Sequence, residues 1–148
     1  MHFITLKLTG HNLPFTDIEI AINKKPTFLY HEGETKETKY GNVTYKEDGI
    51  AFQEVINSDK EIETKLNEYA QICYGCREKL IDWSQKFRSF LWVSVYPENA
   101  QIHFSISPQT MKCFSRCGIE LTTSIMSLQE FYNGEYGSKL PKTDLPND

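Results

Sequence analysis

The chain opens on a strict alternation. Ile4, Leu6 and Leu8 fall on one side of residues 2–8, and Phe3, Thr5 and Lys7 fall on the other. That period of two is what a half-buried strand requires. Gly10, Asn12 and Pro14 interrupt it. Thr16 or Asp17 can then cap a short helix, because Ile18 and Ile22 stand four apart on one helical face and Asn23 and Pro26 stop the run.

Between Thr27 and Ile56 the pattern predicts short strands at Thr27–His31, Thr38–Tyr40, Val43–Tyr45 and Ile50–Val55. Polar turns at His31-Glu32-Gly33, Gly41-Asn42 and Glu47-Asp48-Gly49 separate them. Asp48-Gly49 is the dipeptide of a tight hairpin, so an antiparallel meander is the simplest arrangement.

Ser58-Asp59-Lys60-Glu61 has the spacing of a capping box, with the serine hydroxyl and the glutamate satisfying first-turn amides reciprocally. Downstream, Ile62, Leu66, Tyr69, Cys73, Cys76, Leu80, Trp83 and Phe87 recur at intervals of four and three and form one apolar stripe. An unbroken helix over that stripe would run about 40 Å, too long for a domain of this size. Gly75 is the expected break, leaving two consecutive helices of about a dozen residues each.

Phe90–Tyr96 and Gln101–Ile106 read as a hairpin around Pro97-Glu98-Asn99-Ala100. Ser107-Pro108 is a helix start, Gly118 a left-handed cap, and Ile119–Met126 a return to strand. The expected fold is α+β: a mixed, largely antiparallel sheet, two longer consecutive helices packed on it, and short β-α-β units at both ends. Residues 1–132 would form one domain, and 133–148, rich in Gly, Lys, Pro, Asp and Asn, a flexible tail.

Composition narrows the class. At 148 residues, 39% hydrophobic and 24% charged, the chain can bury a core of its own. It has neither the apolar run of a membrane span nor an apolar signal core, so a cytoplasmic location is expected. Sixteen bases against twenty acids give −4, which argues against nucleic acid as a partner. The excess is concentrated: from Glu32 to Glu68 ten acids oppose five lysines, a segment able to attract a basic partner.

Cys73-Tyr74-Gly75-Cys76 and Cys113-Phe114-Ser115-Arg116-Cys117 are two close pairs that could supply four thiolates to a tetrahedral zinc. Both pairs fall on predicted helices, the first on the apolar stripe, and free cysteine is commonly buried. Core packing is therefore the preferred reading, with a zinc-stabilised domain as the alternative. A thioredoxin-like role is disfavoured because helix, not strand, precedes the first pair. His2, His11, His31 and His103 have no catalytic or metal spacing, and no GxxxxGK[ST], GxGxxG or GxSxG occurs. No catalytic residue and no cofactor are assigned. Tyr40, Tyr45, Tyr132 and Tyr136 are the aromatics that periodicity leaves unburied.

Several local words recur together: Leu8-Thr9-Gly10 closing the first strand, Lys25-Pro26-Thr27 after the short helix, Gly33-Glu34 in the next turn, then Phe104-Ser105-Ile106-Ser107 and Gly118-Ile119-Glu120-Leu121. In these the chain resembles a bacterial family catalogued as domain of unknown function number 4279. It departs from that family at Phe52, where members tend to carry tryptophan. The resemblance implies an α+β sandwich without established catalysis, similar in size and charge to bacterial immunity proteins, which bind and block a toxin.

The resulting expectation is a non-enzymatic protein that binds a basic protein partner such as a toxin domain, with Glu32, Glu34, Glu37, Tyr40, Tyr45, Glu47 and Asp48 as contact residues. A small-ligand pocket between helices and sheet is a further possibility.

Overall fold

The structure, a computed structural model, describes residues 1–97 and 102–126. Its elements run β1 (His2–Gly10), α1 (Phe15–Ile22), β2 (Phe28–Tyr30), β3 (Thr35–Thr38), β4 (Gly41–Thr44), β5 (Asp48–Ile56), α2 (Ile62–Gly75), α3 (Arg77–Ser84), β6 (Arg88–Val95), α4 (Pro108–Arg116) and β7 (Glu120–Ile125). The predicted tail, with Tyr132 and Tyr136, lies outside the described residues.

The opening alternation becomes the central strand of a five-stranded sheet ordered β2-β5-β1-β6-β7. All neighbours are antiparallel except β6 and β7, which are parallel. Register carries the apolar side through three strands, aligning Leu6 with Phe52 and Leu91, and Ile4 with Val93. All four helices bury side chains against that face in one core, through Ile18 and Ile22, Leu66, Tyr69 and Cys73, Leu80 and Trp83, and Phe114. The protein is thus an α+β fold with its helices on one side of a mixed sheet. No helix among the described residues is long and apolar enough to cross a membrane.

The helical stripe is realised and breaks just beyond Gly75, the last residue of α2, giving helices of 14 and 8 residues in place of about a dozen each. The chain leaves helical geometry at Cys76, whose φ and ψ are −118° and 27°, and α3 resumes at Arg77. The Ser58 hydroxyl accepts from the Lys60 amide, but it opens a single 3-10 turn over Asp59–Glu61 before α2 begins. Ser107 caps α4, with Pro108 in its first turn, and Gly118 takes a φ of +68° just beyond it.

Several expectations are corrected. Pro14 occupies the N-cap of α1 with no side-chain bond, so Thr16 and Asp17 lie inside the helix. The meander is interrupted: β3 and β4 form a separate two-stranded sheet, and β2 reaches past them to pair with β5. Asp48 and Gly49 are already strand residues, not a hairpin turn. Residues 102–106 join no strand. They lie against the core through Ile102, Phe104 and Ile106, and the partner of β6 on that side is β7, reached through α4. The C-terminal β-α-β unit is therefore β6-α4-β7. The N-terminal unit is split, since β1 and β2 both pair with β5, which runs between them.

Candidate functional site

At the end of the sheet where β5 begins, the β1–α1 loop, the β2–β3 turn and the β3–β4 hairpin come together. Asp48 ties the first two. It is only 8% exposed; one carboxylate oxygen accepts from the Leu13 amide at 3.1 Å and the other from the Glu32 amide at 2.8 Å. The Glu32 amide bond is the largest of the influences that hold its pKa below the ordinary value, and the Leu13 bond adds to it against the cost of burial. Asp48 is consequently a structural clamp and not an exposed contact residue.

Around this clamp the carboxylates pair with imidazoles. His11 Nδ1 lies 3.0 Å from Glu32, and His31 Nδ1 lies 2.9 Å from Glu34. The Glu32 hydrogen bond, followed by its charge, raises the pKa of His11. The His31 ring packs against Phe15 with centroids 4.8 Å apart. Glu32, although next to His31 in the chain, is thus turned to His11 instead.

Tyr30 and Tyr45 stack with centroids 3.9 Å apart and their planes within 14°. This stack anchors the hairpin to the sheet, together with backbone bonds from Gly33 to Tyr45 and from Tyr45 to Glu34. Beyond it β3 and β4 project outward, with nearly every residue exposed. Their turn is Lys39-Tyr40, where the Thr38 hydroxyl accepts from the Tyr40 amide and donates to the Gly41 carbonyl. Tyr40 at the tip is 89% exposed. An open groove of about 530 Å³ separates β2 from the hairpin, lined by Phe28, Leu29, Tyr30 and Tyr45, with Glu34 and Glu37 among the residues that border it.

The structure brings Glu32, Glu34, Tyr45, Glu47 and Asp48 to the hairpin root, with Glu37 and Tyr40 further out. It does not join them to the rest of the acidic segment. Asp59, Glu61 and Glu63 follow the far end of β5, about 27 Å from Asp48 at the usual rise of a strand, and Glu68 lies on α2, sharing Lys65 with Glu54. Three of these four are engaged internally: Asp59 with His2, Glu63 with the Ser105 amide and Glu68 with Lys65.

The four cysteines meet between α2 and α4. Cys73 and Cys117 are fully buried, Cys76 and Cys113 half-buried, and the Cys117 thiol donates to the Cys73 carbonyl at 3.6 Å. Burial first, and the neighbouring cysteines second, push the Cys73, Cys76 and Cys117 thiols above their ordinary pKa. Among the described residues no three His, Cys, Asp or Glu side chains converge as a metal-ligand set.

Two features escaped the sequence reading. Phe28 and Leu29, 50% and 42% exposed, were hidden in a strand too short to show alternation. Glu54, between Phe52 and Ile56 on the inward side of β5, is held by Lys24 and by Lys65 at 3.6 Å. Burial raises its pKa, but the two lysines outweigh that and leave it lowered. Its two partners, distant in sequence, were not legible.

Comparison with family models, with curated proteins and with solved structures finds no match. The class is set by the architecture itself, a mixed-sheet α+β domain with a projecting hairpin.

Proposed function

We propose that this is a non-enzymatic binding protein that engages a basic protein partner through the β3–β4 hairpin and its root, in the manner of an immunity-type inhibitor. The observation that carries the reading is the hairpin: a two-stranded extension held out in water, tipped by Tyr40 at 89% exposure and rooted among Glu32, Glu34 and Glu47. An isolated two-stranded hairpin is marginal by itself, and exposed aromatics flanked by charge are favoured contact anchors. The carboxylates would speed encounter with a basic face more than they would deepen affinity. The local words that resemble domain of unknown function number 4279, and a size and charge similar to those of bacterial immunity proteins, are consistent with the same role.

The test is association with the product of the adjacent reading frame, measured by surface kinetics. Replacing Glu32, Glu34 and Glu37 together by lysine should slow association by about tenfold at low salt, and Tyr40→Ala should speed dissociation. Unchanged kinetics in both variants would refute the reading.

A further inference from the structure

The geometry points to the free edge of β2 as a strand-addition site, which takes an extended peptide carrying alternating basic and apolar side chains into the groove between β2 and the hairpin. The inference rests on the binding role above and names its recognition mode.

Three observations meet at this groove. First, β2 is the outermost strand of the main sheet and pairs only with β5, so among the described residues its other edge joins no ladder. Such an edge offers backbone amides and carbonyls to an incoming strand. On the opposite edge strand, β7, side chains are tied across to β6 by Arg88–Glu120 and Trp92–Ser124. Second, the edge is lined by apolar surface left in water, with Phe28 and Leu29 half exposed beside the stacked Tyr30 and Tyr45. Third, the far wall is acidic: Glu34 and Glu37 face a single lysine, Lys36, among the residues that line it. A basic and apolar strand complements both walls. Because β2 has only three residues, backbone pairing alone gives few bonds, and the side-chain walls must supply the selectivity.

The probe is a short blocked peptide alternating lysine and valine, titrated into the isotope-labelled protein with amide shifts and hydrogen exchange as readouts. The expected result is shift change and slowed exchange at Phe28–Tyr30. The same peptide N-methylated on alternate residues should lose binding, and a glutamate–valine peptide should not bind. Glu34→Gln with Glu37→Gln should weaken binding about threefold to tenfold at low salt, a difference that closes at high salt. Phe28→Ser, on an exposed side chain, should weaken it while leaving the thermal melt unchanged. Perturbation centred on β7, equal binding of the N-methylated peptide, or no response at millimolar probe would overturn the proposal. A cognate partner that protects the Tyr40 turn but leaves Phe28–Tyr30 exchanging freely would overturn it too, while the broader binding role stands.

Discussion

The ring of Tyr30 occupies the space where a side chain at Gly49 would begin: a Cβ built there would lie 2.1 Å from the tyrosine Cζ. The two residues are direct partners across the β2–β5 pair. The absence of a side chain lets the ring lie across β5, and from there it stacks on Tyr45 and receives the Lys7 ammonium 5.1 Å from its centroid. One glycine therefore seats the root of the hairpin.

Gly49→Ala should displace Tyr30 and unstack Tyr45. Overpacking of this kind costs about 1–3 kcal/mol, readable as a lower urea midpoint at unchanged slope. The hairpin amides should lose exchange protection while β1 and β6 keep theirs. Retained protection at Gly33 and Tyr45 would show that the stack does not hold the hairpin.

Asp48→Ala should cost about 1–3 kcal/mol, because the buried Leu13 amide and the part-buried Glu32 amide lose a charged acceptor. The wild-type contribution has a defined sign. The folded pKa is lowered, so the stabilisation is complete above the ordinary carboxylate value of 3.8 and is lost as pH falls below it through the native value. Urea titrations across that range should converge for wild type and variant at the acid end. A constant gap at every pH would mean that the carboxylate charge is not the source.

His11 offers the reverse dependence at the surface. Its folded pKa is raised, so the pairing with Glu32 is fully made below the ordinary value of 6.5 and released as pH rises through the higher native value. Protonated His11 also masks Glu32. The association rate with a basic partner should climb as pH rises through that window, and His11→Gln should flatten the climb. Stopped-flow association at several pH values checks it.

The helical layer has its own polar fastening. The Thr110 hydroxyl donates to Asn67 on α2, while its amide and hydroxyl are both bonded by Ser107. Thr110→Val should leave Asn67 and Ser107 short of partners and destabilise by about 1–3 kcal/mol. Asn67→Ala in the same background should add little, since the bond it would break is already gone. Additive losses in the double-mutant cycle would count against the relay.

Raised pKa values predict sluggish thiols. A thiol reagent at neutral pH should leave Cys73 and Cys117 unmodified in the native protein and label all four cysteines in denaturant. Native-state protection that vanishes on adding a chelator, with zinc released in stoichiometric amount, would establish the metal-stabilised alternative.

The α+β class, the inward face of β1, the existence of β5, the two-helix stripe broken next to Gly75 and the capped start of α4 were all legible locally. Each depends on periods of two or 3.6 and on glycine, proline and serine acting within a few residues of themselves. What failed was pairing. Asp48-Gly49 has the composition of a turn, yet Gly49 is extended to make room for Tyr30, a residue 19 positions earlier in the chain. Residues 102–106 have strand character, yet the edge of β6 is taken by β7.

The candidate site divides along the same line. That Glu32, Glu34, Glu37 and Tyr40 would be exposed followed from their polarity and from the breakers around them. That Asp48 would be consumed as a clamp, that the acids beyond Ile56 would be carried to the opposite end of β5, and that Phe28 and Leu29 would line an open groove followed only from the sheet order. Local sequence determines which way a residue faces along its own strand or helix. The neighbour it meets there is decided by burial of the whole core, which selects one strand order among the several that local pattern allows.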